Sequence, residues 1–364
     1  MENGEWRMEN GEWKMENGKW RMENGEWKME NVMRYKSILI MMAALPLLAA
    51  CSHDLEVEEL MPLRIGAVVD DSGAQTRNQS EYQATELATG QKVGVYVYYS
   101  NYGSNTGDWT TTTDNYGYKN IEYTVTGNAG ALTSPSTQPY YPPNASQKVV
   151  IYGFAPRTKF ASITGELSAQ TAVAVDFTDQ RDQSAANGAN YLATDFVWGK
   201  VNSTLSADKN KSAIDIPLTH KMSKVAVILT EGNGMSGRLA GATVTLESNV
   251  VTKAKVNLTN GTVTADGSTK NTVTLAKNIT KSGSTYSCNA VIVPQTIAAG
   301  NLLAVTLSST YGNTKYYYKT TAATTFNANT CTTYNITVNA TAITVSTSIS
   351  DWGTKNTVTD TVTY

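Results

Sequence analysis

The sequence predicts an all-β protein of two tandem domains, and three observations carry the prediction. Apolar residues recur with a period of two in run after run; clusters of Asn, Gly, Ser and Asp separate the runs; and Thr, Ser, Asn, Tyr and Val are abundant where helix formers are scarce. The length of 364 residues suits two domains at roughly 100–200 residues each.

The first elements lie ahead of the fold. Residues 1–32 repeat every seven positions: Met1-Glu2-Asn3-Gly4-Glu5-Trp6-Arg7 returns from Met8, Met15 and Met22 and breaks off at Met29-Glu30-Asn31. A coiled coil fails on geometry, because Met and Trp at this spacing scatter around a helix and each repeat carries a helix-weakening Gly. The segment reads as translation upstream of a true start at Met33, or as a disordered leader, and in either case not as part of the mature protein. Residues 33–50 form a lipoprotein signal peptide: Arg34 and Lys36, an apolar run from Ile38 to Ala50, then small residues before a Cys. The run is shorter than the ~20 residues a membrane-spanning helix needs. Leu48-Ala49-Ala50-Cys51 resembles a lipobox, which makes Cys51 the acylated first residue of the mature chain, anchored through buried acyl CH₂ groups. Residues 51–60 are an acidic tether carrying Asp54, Glu56, Glu58 and Glu59, similar to the lipoprotein export signals of Bacteroidetes.

The N-terminal domain is predicted over 61–210. Leu63, Ile65, Ala67 and Val69 make one apolar face of its first strand, and Val93, Val95 and Val97 lie opposite Tyr96 and Tyr98 on another. Residues 179–212 are less regular, rich in Ser, Asn, Asp and Lys, and place the boundary near Lys211. The C-terminal domain, 211–364, continues the alternation at Ile214, Ile216 and Leu218; at Val225, Val227 and Leu229; at Leu303, Val305 and Leu307; and at Tyr334, Ile336 and Val338. Asn101–Asn105, Asn260-Gly261 and Tyr311-Gly312-Asn313 supply turns.

Little in the chain suggests chemistry. With 29 basic and 31 acidic residues and a net charge of −2, no positive field favours nucleic acid or an anionic membrane surface. Three Cys and two His, with no CxxC, HExxH or GxSxG, predict neither an enzyme nor a cofactor or metal site. Asp70-Asp71 and Asp179–Asp182 lack the ligand spacing of a calcium loop and read as solvated loops, and His220 reads as a core or hydrogen-bonded histidine. Tyr96, Tyr98 and Tyr99, with Tyr316–Tyr318, are either cross-strand packing or a sugar-stacking platform. Cys288 and Cys331, both on predicted strands, are either a disulfide or two buried thiols.

Several stretches, taken in order, make the chain resemble the fimbrillin family of Bacteroidetes. They are the lipobox, Thr76-Arg77, Gly90–Tyr96, Val149–Pro156, Asp179-Gln180 with Tyr191–Asp195, Leu218–Val225, Thr332–Val338 and Ile349–Trp352. The resemblance implies two transthyretin-like β-sandwich domains in tandem and a structural or adhesive subunit of a type V pilus at the outer-membrane surface. It implies that an Arg-specific protease removes the first strand, here after Arg77, and that a strand from another fimbrial subunit, given by the C-terminus in pilus stalks, fills the groove. Leu63, Ile65, Ala67 and Val69 then form the removable strand. Burying its three larger aliphatics is worth about 5–9 kcal/mol, comparable with a domain's net stability of ~5–15 kcal/mol. Arg64 competes as a cleavage point but lies within the strand and is shielded while that strand is paired. The alternative is a surface lipoprotein that does not polymerise and binds glycans or host ligands through exposed aromatics.

Overall fold

The computed structural model describes residues 61–69, 87–100 and 118–352, the last range with short breaks, and the backbone of strands within 7–30 and at 360–363. Cys51, Arg77 and the signal peptide lie outside the described residues. The chain divides into two units, 1–57 and 58–364.

In the first unit the heptad segment contains β1 (Arg7–Glu9), β2 (Glu12–Met15), β3 (Gly18–Glu23) and β4 (Glu26–Glu30), paired in sequence as an antiparallel sheet. Glu9 pairs with Glu12 and Glu23 with Glu26, leaving Asn10-Gly11 and Asn24-Gly25 between them. Asn-Gly is the dipeptide best suited to a two-residue hairpin connection, so the repeat combines a short strand with a turn signal.

The second unit begins with β5 (Ile65–Val69), β6 (Lys92–Tyr99), β7 (Tyr118–Thr124), β8 (Lys148–Ala155) and β9 (Val173–Asp176). Helix α1 (Ala189–Thr194), β10 (Val197–Thr204), helix α2 (Leu205–Asp208) and β11 (Ile214–His220) follow. Then come β12 (Ser223–Glu231), β13 (Thr243–Val251), β14 (Lys253–Val256), β15 (Val263–Ala265), β16 (Lys270–Thr274), β17 (Ala276–Ser282) and β18 (Thr285–Ile292). The remainder is β19 (Gln295–Ile297), β20 (Gly300–Thr306), β21 (Lys315–Thr320), β22 (Thr324–Phe326), β23 (Thr330–Val338), β24 (Ile343–Asp351) and β25 (Asp360–Thr363). The all-β prediction holds.

One six-stranded sheet runs β5-β11-β10-β8-β6-β7. β10 pairs with β8 along its whole length but with β11 only at Val197 and Trp198, opposite His220 and Thr219. Beyond that point β11 leaves the plane. A Cβ on Gly199 would sit 2.1 Å from the Pro217 carbonyl oxygen, and one on Gly153 of β8 would sit 2.7 Å from Ile216 Cδ1. These two glycines let β11, and β5 beside it, fold back across the face of β8. The enclosed core holds Val93, Val95, Val97, Val149, Ile151 and the inward residues of β5 and β11. The alternating face of β6 expected from sequence is therefore observed.

The opposite face of the same sheet buries Tyr96, Tyr98, Tyr152 and Phe154. It is covered by a three-stranded sheet, β15-β14-β9, that joins a strand of each half of the chain. Met222, Val291, Val293 and Trp352 complete this core. A third core lies between a six-stranded sheet, β17-β18-β12-β23-β24-β25, and a four-stranded sheet, β16-β13-β20-β21.

The expected boundary near Lys211 falls just ahead of β11. β11 follows Lys211 yet belongs to the first sheet, so the change of sheet comes after His220. Ile214, Ile216 and Leu218 alternate in the same way in either setting, and their pattern alone does not assign a partner sheet.

Candidate functional site

The first strand is an edge strand whose side chains are core residues. β5 pairs in parallel with β11, matching Ile65 to Ile214, Ala67 to Ile216 and Val69 to Leu218. Leu63 and Ala67 are fully buried, and Ile65 and Val69 are 5% and 6% exposed. All four expected residues therefore fill the core between the folded halves of the sheet. Gly66 sits under the Asp215 side chain, where a Cβ would lie 2.1 Å from Oδ1. The exposed Arg64 side chain flanks β5, and its carbonyl accepts a 2.9 Å hydrogen bond from the Ile214 N–H. The Arg64 carbonyl is thereby paired with β11 while its side chain stays exposed.

Upstream, residues 61–63 meet a second partner. Leu63 N–H donates to the Pro139 carbonyl at 2.8 Å, and Tyr141 N–H donates to the Met61 carbonyl at 2.9 Å. Gln138 Nε2 donates to the Leu63 carbonyl at 3.0 Å. Beside this contact lies a cavity of about 210 Å³, bordered by Met61, Pro62 and Arg64 on one side and Tyr141, Lys209 and Ile214 on the other. Asp208, at its rim, accepts from Ser203 Oγ at 2.7 Å and pairs with Lys211 at 2.6 Å. Burial pushes the Asp208 carboxyl pKa up, but Lys211 and Ser203 outweigh it and hold the carboxyl below its ordinary value. None of the 138–141 contacts is apparent in the sequence, since no apolar alternation marks that stretch.

The aromatic residues divide between packing and exposure. Tyr96 and Tyr98 are fully buried, stacked at 6.2 Å between ring centroids. Tyr98 OH donates to Glu166 at 3.0 Å and accepts from the Leu167 N–H at 3.0 Å. Tyr316 packs on the third core, Tyr318 is 8% exposed, and only Tyr317 of that trio is broadly open, at 46%. The sugar-stacking platform is not formed by these rings, because the strand periodicity that groups them also turns most of them inward.

Of the two alternatives for the cysteines, the geometry matches the buried thiols. Cys288 and Cys331 are buried thiols not joined to each other. Cys288 lies opposite Val227 and Cys331 opposite Lys224, on the two flanking neighbours of β12. Two strand spacings, ~10 Å, separate those neighbours, beyond the ~7 Å Cα limit for a bridge.

His220 is buried, as expected. Its Nδ1 lies 2.9 Å from Asp195 Oδ1, and its ring stacks on Trp352 at 4.0 Å and 3°. Three of the stretches that carried the resemblance, through Asp195, His220 and Trp352, thus meet in one cluster between the two halves of the chain. At the C-terminus β25 pairs with Thr344–Thr347 of β24, as the last strand of its sheet.

The packed sheets define the chain as an all-β protein. A protein assigned to cell adhesion from Bacteroides uniformis shares the fold at a TM-score of 0.52 and 19% identity, over 80% of this chain and 99% of that one. Another, from Bacteroides ovatus, does so at 0.55 and 15%, over 82% and 99%. The tip fimbrial protein Mfa3 of Porphyromonas gingivalis, at 12% identity over 80% and 99%, superposes at 0.42, too loosely to bear on the argument. The chain belongs to the fimbrillin-like family, whose profile matches residues 76–352. No curated protein sequence matches it.

Proposed function

We propose that the chain is a structural or adhesive subunit of a cell-surface fimbria, made as a lipoprotein precursor acylated at Cys51 and assembled by strand exchange after an Arg-specific protease cuts at Arg77. Membership of the fimbrillin-like family supports the fimbrial subunit. One observation carries the exchange: Leu63, Ile65, Ala67 and Val69 are core residues, yet among the described residues their strand lies at the sheet edge with β11 as its one strand neighbour. Such a strand can leave without dismantling the rest of the sheet. Its departure uncovers an apolar groove and the edge of β11, which a strand from another subunit would fill through main-chain bonds and alternate side chains.

On this reading each half of the chain is a transthyretin-like sandwich, and the strand bearing Leu63–Val69 completes the first. β25 suits the donor's part, since among the described residues it is the last strand of its sheet and pairs with only part of β24. The partners are other fimbrial subunits and the protease, with the acyl anchor holding the precursor at the outer membrane.

The test is treatment of purified precursor with an Arg-specific protease. The expected outcome is loss of the N-terminal fragment, cleavage after Arg77 by mass spectrometry, and ladders or fibres on electron microscopy. Clean loss of the fragment from a protein that stays monomeric would count against assembly by exchange.

A further inference from the structure

We propose that Gln138-Pro139-Tyr140-Tyr141 is a clasp that governs exchange of the first strand, holding the leading end of the resident strand and receiving that of its replacement; this rests on the strand-exchange reading above. Backbone groups of alternate residues in a strand point to opposite edges. The Arg64 carbonyl accepts from Ile214, so the even-numbered residues of the first segment face β11 and the odd-numbered ones face away. On that outer edge the Met61 carbonyl and both backbone groups of Leu63 are bonded to Gln138, Pro139 and Tyr141. Among the described residues, no strand pairs with the outer edge of Ile65, Ala67 and Val69. The segment is therefore held on its outer edge over residues 61–63 and on its inner edge, by β11, from Arg64 onward.

The clasp is fixed by groups that do not depend on the first strand. Tyr99 OH donates to the Tyr140 carbonyl at 2.6 Å, and the Tyr141 hydroxyl lies 3.3 Å from Ser203 Oγ. Tyr141 and Pro142 are buried. Pro139 and Pro142 have no N–H to offer a strand, which limits the clasp to its short span. It therefore stays in place when the strand leaves, with the Pro139 carbonyl, the Tyr141 N–H and the Gln138 amide presented to an incoming chain. The partner this suits is an extended segment of another fimbrial subunit, recognised there by backbone rather than by side chain. Release starts from Val69, where one row of bonds opens, and ends at the clasp, beside a cavity with room for an entering residue.

The experiment compares the full-length precursor with its Gln138→Ala and Gln138→Glu variants; neither replacement can donate to Leu63. After Arg-specific cleavage, release of the N-terminal fragment is followed by size exclusion against excess synthetic peptide spanning residues 61–70. Loss of one hydrogen bond should speed release about three- to tenfold. In parallel, hydrogen exchange on uncut protein should show the Leu63 amide protected relative to those of Ile65, Ala67 and Val69, with that protection reduced in both variants. Equal release rates in all three proteins overturn the clasp. If the fragment leaves none of them, strand exchange itself fails, and the exchange data still decide the clasp: a Leu63 amide as fast as that of Ile65 rejects it.

Discussion

Tyr96, Tyr98, Tyr123 and Tyr334 lose water on folding, and burial is the main force that pushes their phenol pKa values up, Tyr96 to about 12 with help from the nearby Glu166 charge. An unfolded tyrosine ionises near pH ~10. The unfolded chain therefore releases protons first, and the stability contributed by these neutral phenols is complete below ~10 and lost as pH rises through the folded values. Alkaline titration should show tyrosinate absorbance appearing together with loss of circular dichroism. Gradual ionisation near pH ~10 with the fold intact would contradict the burial of these rings. Leu63 gives a second prediction at this scale. Its truncation in Leu63→Ala should cost the precursor about 2–5 kcal/mol in urea unfolding, as for other fully buried leucines, and should cost nothing once the first strand has been removed. An equal loss before and after removal would mean that Leu63 is not carried away with the strand.

The path of β11 depends on Gly199, whose missing side chain is what lets the Pro217 carbonyl come so close. Backbone cannot yield as a flexible side chain does, so Gly199→Ala should destabilise the protein by about 1–3 kcal/mol through overpacking. Because β5 is carried on β11, the same change should raise hydrogen exchange at Gly66 and Val68, whose bonds face β11; unchanged exchange there would mean that the crossing does not hold the first strand. Alternation made the individual strands legible in sequence, down to the valine and tyrosine faces of β6 and the buried face of the first strand. It could not say which sheet β11 joins, because a period of two reports burial and not the partner. The four-residue strands β9 and β14 are too short to stand out, and their pairing links residues far apart in sequence. In the heptad segment the spacing argues only against a coiled coil, whereas Asn10-Gly11 and Asn24-Gly25 fall between paired strand ends.

Across residues 58–364 the two halves are joined by structure that belongs to both. β14 comes from the C-terminal half but pairs with β9, Trp198 Nε1 donates to the Leu258 carbonyl at 2.7 Å, and Gln183 bonds both backbone groups of Val291, at 2.7 and 2.9 Å. His220 at the end of the first sheet stacks on Trp352 at the end of β24. Val256, Leu258, Val291 and Trp352 share one core with Tyr96 and Phe154. Separating the halves would expose that core and leave buried polar groups without partners, a cost of about 1–3 kcal/mol for each such group. This predicts one cooperative transition for the whole unit, with tryptophan fluorescence and circular dichroism superimposing in urea. Trp352→Ala should then lower the single midpoint, by about 3–5 kcal/mol for a buried tryptophan, without splitting it. In a fibre carrying load from one subunit to the next, such coupling would make the halves resist together instead of yielding in turn. Two resolved transitions in the unmodified protein would show that the shared core does not bind the halves into one folding unit.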